Sequence, residues 1–517
     1  MNLPYVINRS CENFPDRIAI IYGDDRLTFQ ETHERTNRFA NGLYDLGLRK
    51  GDRVGMFLKN CREHFEIYLA LIKGGLVRAP INVRLSVREV AFIMRDSGAK
   101  AIIFSEENIP IVEALKNELP ELEILICLQA GKGYVDYKSI MSGGSPADPN
   151  VTIVDNDLCH LAYTSGTTGN PKGAMMTHKR FLTVISRMYM SPIRDPIPTD
   201  IMLHIAPLTA ASNNMILPHF IKGAANAAPP SADPADIFQT IERIGATTTL
   251  LVPTLINIFL NHPEIDNYDL SSMHTIYYGS APMPEALIKE AVKKFGPVFT
   301  QYYGMGEAAP ASMLFPWEHQ LDGAPEEIRK ISSAGKPAYM AELRIVNPDG
   351  EDIKPGEIGE IIHKGDHVFN GYWRNSEATQ DAFKDGWFYS GDMATFDEDG
   401  YIYFMDRKND MIISGGYNVY PSEIENVLYQ HPAILEAAVI AVPDDKWGET
   451  VKAVVVLKSG ENATDEDIIT FCKEHIARYK APKSVDFTNS LPKNSAGKIL
   501  RKKVREKYWL GQTRRVH

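Results

Sequence analysis

The run Tyr163-Thr164-Ser165-Gly166-Thr167-Thr168-Gly169-Asn170-Pro171-Lys172-Gly173 gathers hydroxyls, glycines and a single lysine into eleven positions with no acidic side chain. Glycine admits positive φ and lets a ligand approach the backbone closely. Successive backbone N–H groups in such a turn form a concave anion nest. Thr164, Ser165, Thr167 and Thr168 add hydroxyl donors, and Lys172 adds a positive charge. Phosphate oxygens are the partners that suit this donor set. The spacing is not G-x-x-x-x-G-K-[ST], so the loop is not a Walker A loop. The competing reading is a plain Ser/Thr/Gly surface turn. What separates the two is whether the rest of the chain supplies a nucleotide site.

The elements around the loop place it. Leu158–Tyr163 reads as a buried strand, so the loop stands at a strand end, where α/β sheets bind ligands. His178–Met190 should be a helix packing the loop against the sheet. Before it, Arg17–Tyr22 and Arg53–Leu58 read as strands. A helix capped by Thr28 runs to about Leu46, and another runs from Arg62 to Lys73, stopped by Gly74-Gly75. This alternation predicts an α/β fold with parallel pairing: a large multi-layered N-terminal domain with several sheets flanked by helices. Further on, Thr247–Pro253, Thr275–Pro282 and Val298–Glu307 are three strands, the last two running into Gly-bearing turns. Their carboxyl ends should converge on one crevice. Beyond residue 408 the pattern changes to a small, mobile α+β domain: helix Pro421–Gln430, strands Ala437–Val442 and Val451–Leu457, and helix Asp465–Tyr479. The expected division is 1–408 and 409–517.

YTSGTTGNPKG followed by Met175-Met176-Thr177-His178 resembles the phosphate-binding signature of the adenylate-forming enzymes. That superfamily holds acyl- and aryl-CoA synthetases, peptide-synthetase adenylation domains and luciferases. The resemblance covers nearly the whole chain. It implies activation of a carboxylate by ATP, with Mg²⁺, to an acyl-adenylate, and then transfer to the co-substrate CoA. Alternatives within and outside enzymes are a stand-alone adenylation enzyme loading a carrier protein and a catalytically impaired nucleotide sensor.

By the resemblance, Thr164, Ser165, Gly166, Thr167, Thr168 and Gly169 hold the phosphates with Lys172. Gly279, Ser280 and Ala281 line the acyl and adenine pocket, beside Tyr302, Tyr303 and Gly304. Tyr303 walls the adenine and Glu307 binds Mg²⁺. Asp392 and Arg407 bind the ribose hydroxyls, and Lys498, in LPKNSAGKI, offsets charge on the α-phosphate. Gly416, in the loop Ser414–Tyr417, borders the pantetheine tunnel, with Trp447 near its mouth and Lys480 as a candidate for a CoA phosphate. Asn409 is the pivot of the small domain. The chain departs from the family at three places: Gly306 stands where threonine is usual, Ala210 and Ala211 follow the proline where a histidine or aromatic often lies, and Asn409 stands where Asp or Lys is usual. Ala210, Ala211, Tyr278, Ala281, Met305 and Ala308 suggest an apolar acid pocket without a fixed cation. Medium-chain, alicyclic or aromatic acids suit it, which places the chain in fatty acid or related acid metabolism.

Composition narrows the class. The chain has 517 residues, 44% hydrophobic and 23% charged, with net charge −11. That is ordinary for a globular protein of more than one domain and argues against a general nucleic-acid binder. No apolar run reaches about eighteen residues, and the N-terminus has no apolar h-region, so neither membrane insertion nor a signal peptide is expected. The cysteines Cys11, Cys61, Cys127, Cys159 and Cys472 are scattered and without C-x-x-C. They suit reduced thiols and a cytoplasmic location rather than a disulfide frame or zinc site. A homodimer is the assembly carried forward as an expectation.

Overall fold

The computed structural model describes residues 2–129, 133–164, 171–408, 410–414, 417–444, 447–494 and 497–510. Local chemistry sets its first elements. The helix Phe29–Asp45 begins with a capping box: Glu31 N–H donates to Thr28 Oγ1 at 3.1 Å, and Thr28 N–H donates to Glu31 Oε2 at 2.8 Å. Each such cap stabilises a helix by about 1 kcal/mol. The helix Arg62–Lys73 stops at Gly74, and Gly75 takes φ +63, where a side chain would be strained.

Two large sheets build residues up to about 340. One has seven strands in the order Val135–Asp136, Ile124–Cys127, Ala101–Phe104, Arg53–Phe57, Val77–Pro80, Leu158–Thr164, Lys172–Thr177. All neighbours are parallel except the last pair. The other has nine strands, with Thr248–Leu251, Thr275–Gly279 and Phe299–Tyr303 adjacent and parallel. Helices Leu3–Asn13, Phe29–Asp45 and Arg62–Lys73 lie between the sheets, since one core cluster takes Leu3, Phe39 and Phe65 from them, Met56 and Ile103 from the first sheet and Ile20 and Ala228 from the second. The α/β expectation therefore holds, and the layering explains why the strands are buried on both faces.

Residues 342–407 add a five-stranded antiparallel sheet that ends in the hairpin of Trp387–Phe396 with Ile402–Arg407. A further mixed sheet spans Ile412 to Phe487. It packs helices Pro421–Leu428 and Asp465–His475 over its own core of Ile424, Leu428, Val439, Val455, Ile468 and Cys472.

Three local expectations change. A strand, Lys172–Thr177, stands between the phosphate loop and the helix, so the loop joins an antiparallel hairpin at a sheet edge. The helix His178–Met190 has the expected limits. The helix from Asp465 ends at His475, four residues early, because Ile476 is extended at φ −135, and that from Pro421 ends at Leu428 rather than Gln430. No helix among the described residues is long and apolar enough to cross a membrane.

Candidate active site

Three neighbouring parallel strands open the site with their carboxyl ends. At Gly279 a Cβ would lie 2.3 Å from Tyr302 O on the next strand, so only glycine lets the strands run on together. Ser280 then turns at φ +66. At Gly304 a Cβ would meet Ala309 Cα at 2.8 Å, because the chain folds back immediately. Met305 N–H donates to Ala308 O at 2.9 Å, Ala308 N–H to Met305 O at 3.1 Å, and Ala311 N–H to Tyr303 O at 2.7 Å. Glu307 therefore sits near the tip of a tight turn.

That turn is tied to the phosphate hairpin by the segment 367–373. Phe369 N–H donates to Glu307 O at 2.7 Å. On the segment's other edge, Met175 N–H donates to Gly371 O and Asn370 N–H to Met175 O, both at 3.0 Å, and Trp373 N–H to Gly173 O at 2.8 Å. Tyr372 faces both partners. Its hydroxyl donates to Glu307 Oε1 at 3.2 Å, and Lys172 Nζ lies 5.2 Å from its ring centroid. Burial and Glu307 push the Tyr372 hydroxyl well above its ordinary value, so it stays a donor. Ser165, Gly166, Thr167, Thr168 and Gly169, with Asn170, lie outside the described residues, as does the Thr164 side chain. The register that opens and closes the loop is described: Tyr163 opposite Gly173 and Thr164 opposite Lys172.

Glu307 is buried. A single carboxylate beside a phosphate loop fits a magnesium ion, which commonly takes one or two carboxylates and completes its shell with phosphate oxygens and water. Among the described residues no group of three or more His, Cys, Asp or Glu side chains offers an all-protein cage.

Asp392 and Arg407 come together through the hairpin register, where they are direct partners. Arg407 Nε lies 2.9 Å from Asp392 Oδ1, and the Tyr303 hydroxyl donates to Asp392 Oδ2 at 2.7 Å. Asp392 is 2% exposed, yet its Oδ1 receives no aligned hydrogen bond among the described residues. The ion pair thus coexists with acceptor capacity suited to a ribose hydroxyl. Burial and Asp392 raise the Tyr303 hydroxyl well above the ordinary tyrosine value. The Tyr303 ring stacks on His363 with centroids 6.2 Å apart.

Lys498 belongs to a turn closed by the bridge between Lys493 and Ile499, with Asn494 N–H donating to Lys498 O at 2.8 Å and Lys498 N–H to Asn494 Oδ1 at 2.9 Å. Burial and the Arg407 charge lower the lysine ammonium from its ordinary value, with Asp392 opposing them. Lys498 thus lies within electrostatic reach of the Asp392–Arg407 pair. Gly497 O accepts from Thr254 Oγ1 at 2.9 Å.

The residues expected to line the acid pocket differ in burial. Ala210 and Ala211 are half-buried where a short 3-10 turn begins, behind buried His204, whose ring nitrogens lie 2.8 Å from Ser212 Oγ and from Asn226 Oδ1. Ala281 and Met305 are also half-buried. Tyr278 is fully buried with its hydroxyl 2.9 Å from His319 Nε2, and Ala308 is fully buried where it bridges Val368. The neighbour Tyr277 points to the opposite face of the strand, into an apolar cluster of Met202, Met215, Leu250, Tyr302 and Met313. Two adjacent tyrosines on a strand buried on both faces offered no signal of which one faces which core.

The remaining assignments differ in accessibility. Trp447 is 47% exposed and Tyr417 62% exposed. Lys480 is engaged, with Nζ 2.7 Å from Glu423 Oε2. Gly416 and Asn409 lie outside the described residues. Sequence reasoning missed Tyr372, Arg180 and Thr254. Tyr372 stands in a Gly-Tyr-Trp run that marks a turn, but its partner Glu307 is 65 residues away.

Comparison with known proteins places the chain among relatives of one family. The AMP-binding enzyme family model matches residues 7–373, and the AMP-binding enzyme C-terminal domain model matches residues 423–498. Feruloyl-CoA synthase from Amycolatopsis sp is 37% identical over 501 residues, 96% of each chain. A long-chain-fatty-acid–CoA ligase from Mycobacterium tuberculosis is 34% identical over 493 residues, 94% of each. In three dimensions the chain is similar to the anthranilate CoA ligase AuaEII in complex with anthranoyl-AMP, with TM-score 0.91, 28% identity, and 99% and 98% of the two chains covered.

Proposed function

The chain belongs to the AMP-binding enzyme family, and on that premise we propose that it is an acid–CoA ligase that works by two half-reactions. In the first, an oxygen of the substrate carboxylate attacks the α-phosphorus of ATP, and pyrophosphate leaves. In the second, the CoA sulfur attacks the acyl-adenylate carbonyl, its proton passes to solvent, and AMP leaves. The observation that best supports the reading is that Tyr372 bonds Glu307 and lies under Lys172, while Asp392 is paired with Arg407 and bonded by Tyr303.

The chain's own residues do little covalent chemistry. They position and neutralise charge, which is what phosphoryl and adenylyl transfer mostly requires. Asp392 accepts from the ribose, Arg407 and Tyr303 hold Asp392 still, and Lys498 offsets charge on the α-phosphate oxygens. Lys172 and the loop before it bind the distal phosphates. Magnesium, when bound at Glu307, neutralises part of the phosphate charge. The proposal includes a domain boundary between residues 408 and 409, with Asn409 as pivot, so that Lys498 leaves before CoA attacks. It also includes a cytoplasmic location, in keeping with five free cysteines.

The acid is proposed to be apolar, aromatic or alkyl. Feruloyl and long-chain fatty acyl groups appear in the names of relatives, and Ala210, Ala211, Ala281 and Met305, the half-buried residues expected along the acid pocket, are apolar, with the thioether of Met305 among them. Thioethers adapt to irregular apolar shapes. Pyrophosphate release and thioester formation measured across aromatic, alicyclic and alkyl acids test the reading. Pyrophosphate release with no CoA thioester from any acid would overturn the CoA assignment.

A further inference from the structure

The buried arginine of the helix His178–Met190 is not part of the nucleotide site as described, yet it touches the turn that carries Glu307. Arg180 is 5% exposed. It lies in the first turn of the helix, with its N–H donating to the N-cap Thr177 Oγ1 at 3.3 Å, directly after the strand Lys172–Thr177. Its guanidinium forks onto two backbone carbonyls. Nη2 donates to Gly306 O at 2.8 Å and Nε to His367 O at 3.0 Å. These carbonyls lie on facing segments, bridged at Ala308 and Val368 and joined by the bond from Phe369 N–H to Glu307 O. Burial pulls the guanidinium down to about 10, and the foremost group opposing that fall is Glu307.

We propose that Arg180 is a positioning residue for Glu307, which holds the metal-ligand turn in register with the phosphate hairpin. The inference rests on Glu307 being the magnesium ligand. A planar fork bonded to two carbonyls of different segments fixes their separation, which a point charge on a flexible stem cannot do. Its root in the helix that continues from Lys172 links the two halves of the triphosphate site by one rigid element. Partners that orient a metal ligand typically change metal affinity 10- to 100-fold when removed.

The sign of the effect separates positioning from simple charge. A cation near a metal site repels the metal, so an arginine acting only through its charge would weaken magnesium binding, and R180M would strengthen it. Positioning predicts the reverse. The test is calorimetric binding of a non-hydrolysable ATP analogue to the full-length enzyme, with magnesium and with chelator, for wild type, E307Q, R180M and R180K. The expected result is that R180M loses at least tenfold of the magnesium-dependent gain in affinity. R180K, which keeps charge but can grip only one carbonyl well, should recover part of it, and the KM for CoA with supplied acyl-adenylate should not change. If E307Q keeps the full magnesium gain, the reading of Glu307 fails. If E307Q loses it and R180M or R180K keeps it in full, the role of Arg180 is overturned. Should R180M not fold, R180K decides alone, since a full wild-type gain in that variant is incompatible with the proposal.

Discussion

Thr254 Oγ1 donates to Gly497 O at 2.9 Å, joining the helix Pro253–Leu260 of the large sheets to the turn that presents Lys498. Gly497 needs φ +80 there, and a Cβ on it would stand 3.2 Å from Val252 Cγ2. A second bond, from Asn257 Nδ2 to Leu435 O at 2.9 Å, joins the same helix to the C-terminal sheet. The turn that bears Lys498 is thus docked on this helix, with the lysine within electrostatic reach of the Asp392–Arg407 pair.

Lys498→Ala should reduce adenylate formation by two orders of magnitude or more, about the loss seen when one charge-stabilising donor is removed from an active site. Thioester formation from supplied acyl-adenylate should stay within a few-fold of wild type. Single-turnover measurement of each half-reaction checks this, and equal loss in both would remove Lys498 from its assigned role.

The same lysine gives a pH signature. Burial and Arg407 lower its ammonium below the ordinary value of 10.5. The charged form is the useful one, so activity is full below the lowered value and declines as pH rises through it. kcat/KM for adenylation, which reports the free enzyme, should therefore fall on an alkaline limb that begins below the ordinary lysine range. The residual rate of Lys498→Ala should lack that limb. A wild-type profile with no decline until the ordinary range would contradict the environment described for Lys498.

Ala210→Trp should shift acid preference toward shorter acids, because Ala210 is half-buried at the start of the turn behind His204. Rates with a homologous series of alkyl and aryl acids decide it. An unchanged preference would leave Ala210 a packing residue.

Asn409→Pro should leave adenylation near normal and cut thioester formation severely. Proline holds φ near about −65° and lacks the N–H, so it suits one of two poses of a pivot but not both. Pyrophosphate release and thioester formation followed separately are the measurement. Survival of both would place the pivot elsewhere.

What the chain declares by itself is local. The capping box of Thr28 and Glu31, the helix His178–Met190 and the tight turn after Gly304 all depend on residues within a few positions of one another. The composition of the phosphate loop and the order of motifs were legible for the same reason. The tertiary structure alone decided the rest. Tyr372 meets Glu307 across 65 residues, Tyr303 meets Asp392 across 89, Arg180 meets Gly306 across 126, and Thr254 meets Gly497 across 243. Such pairs arise from how sheets stack and which edges meet, and no helical or strand period encodes that. Tyr277 and Tyr278 make the point at the smallest scale. Both are buried, and only the stacking of layers tells which faces the cluster of Met202, Leu250 and Met313 and which lies against His319.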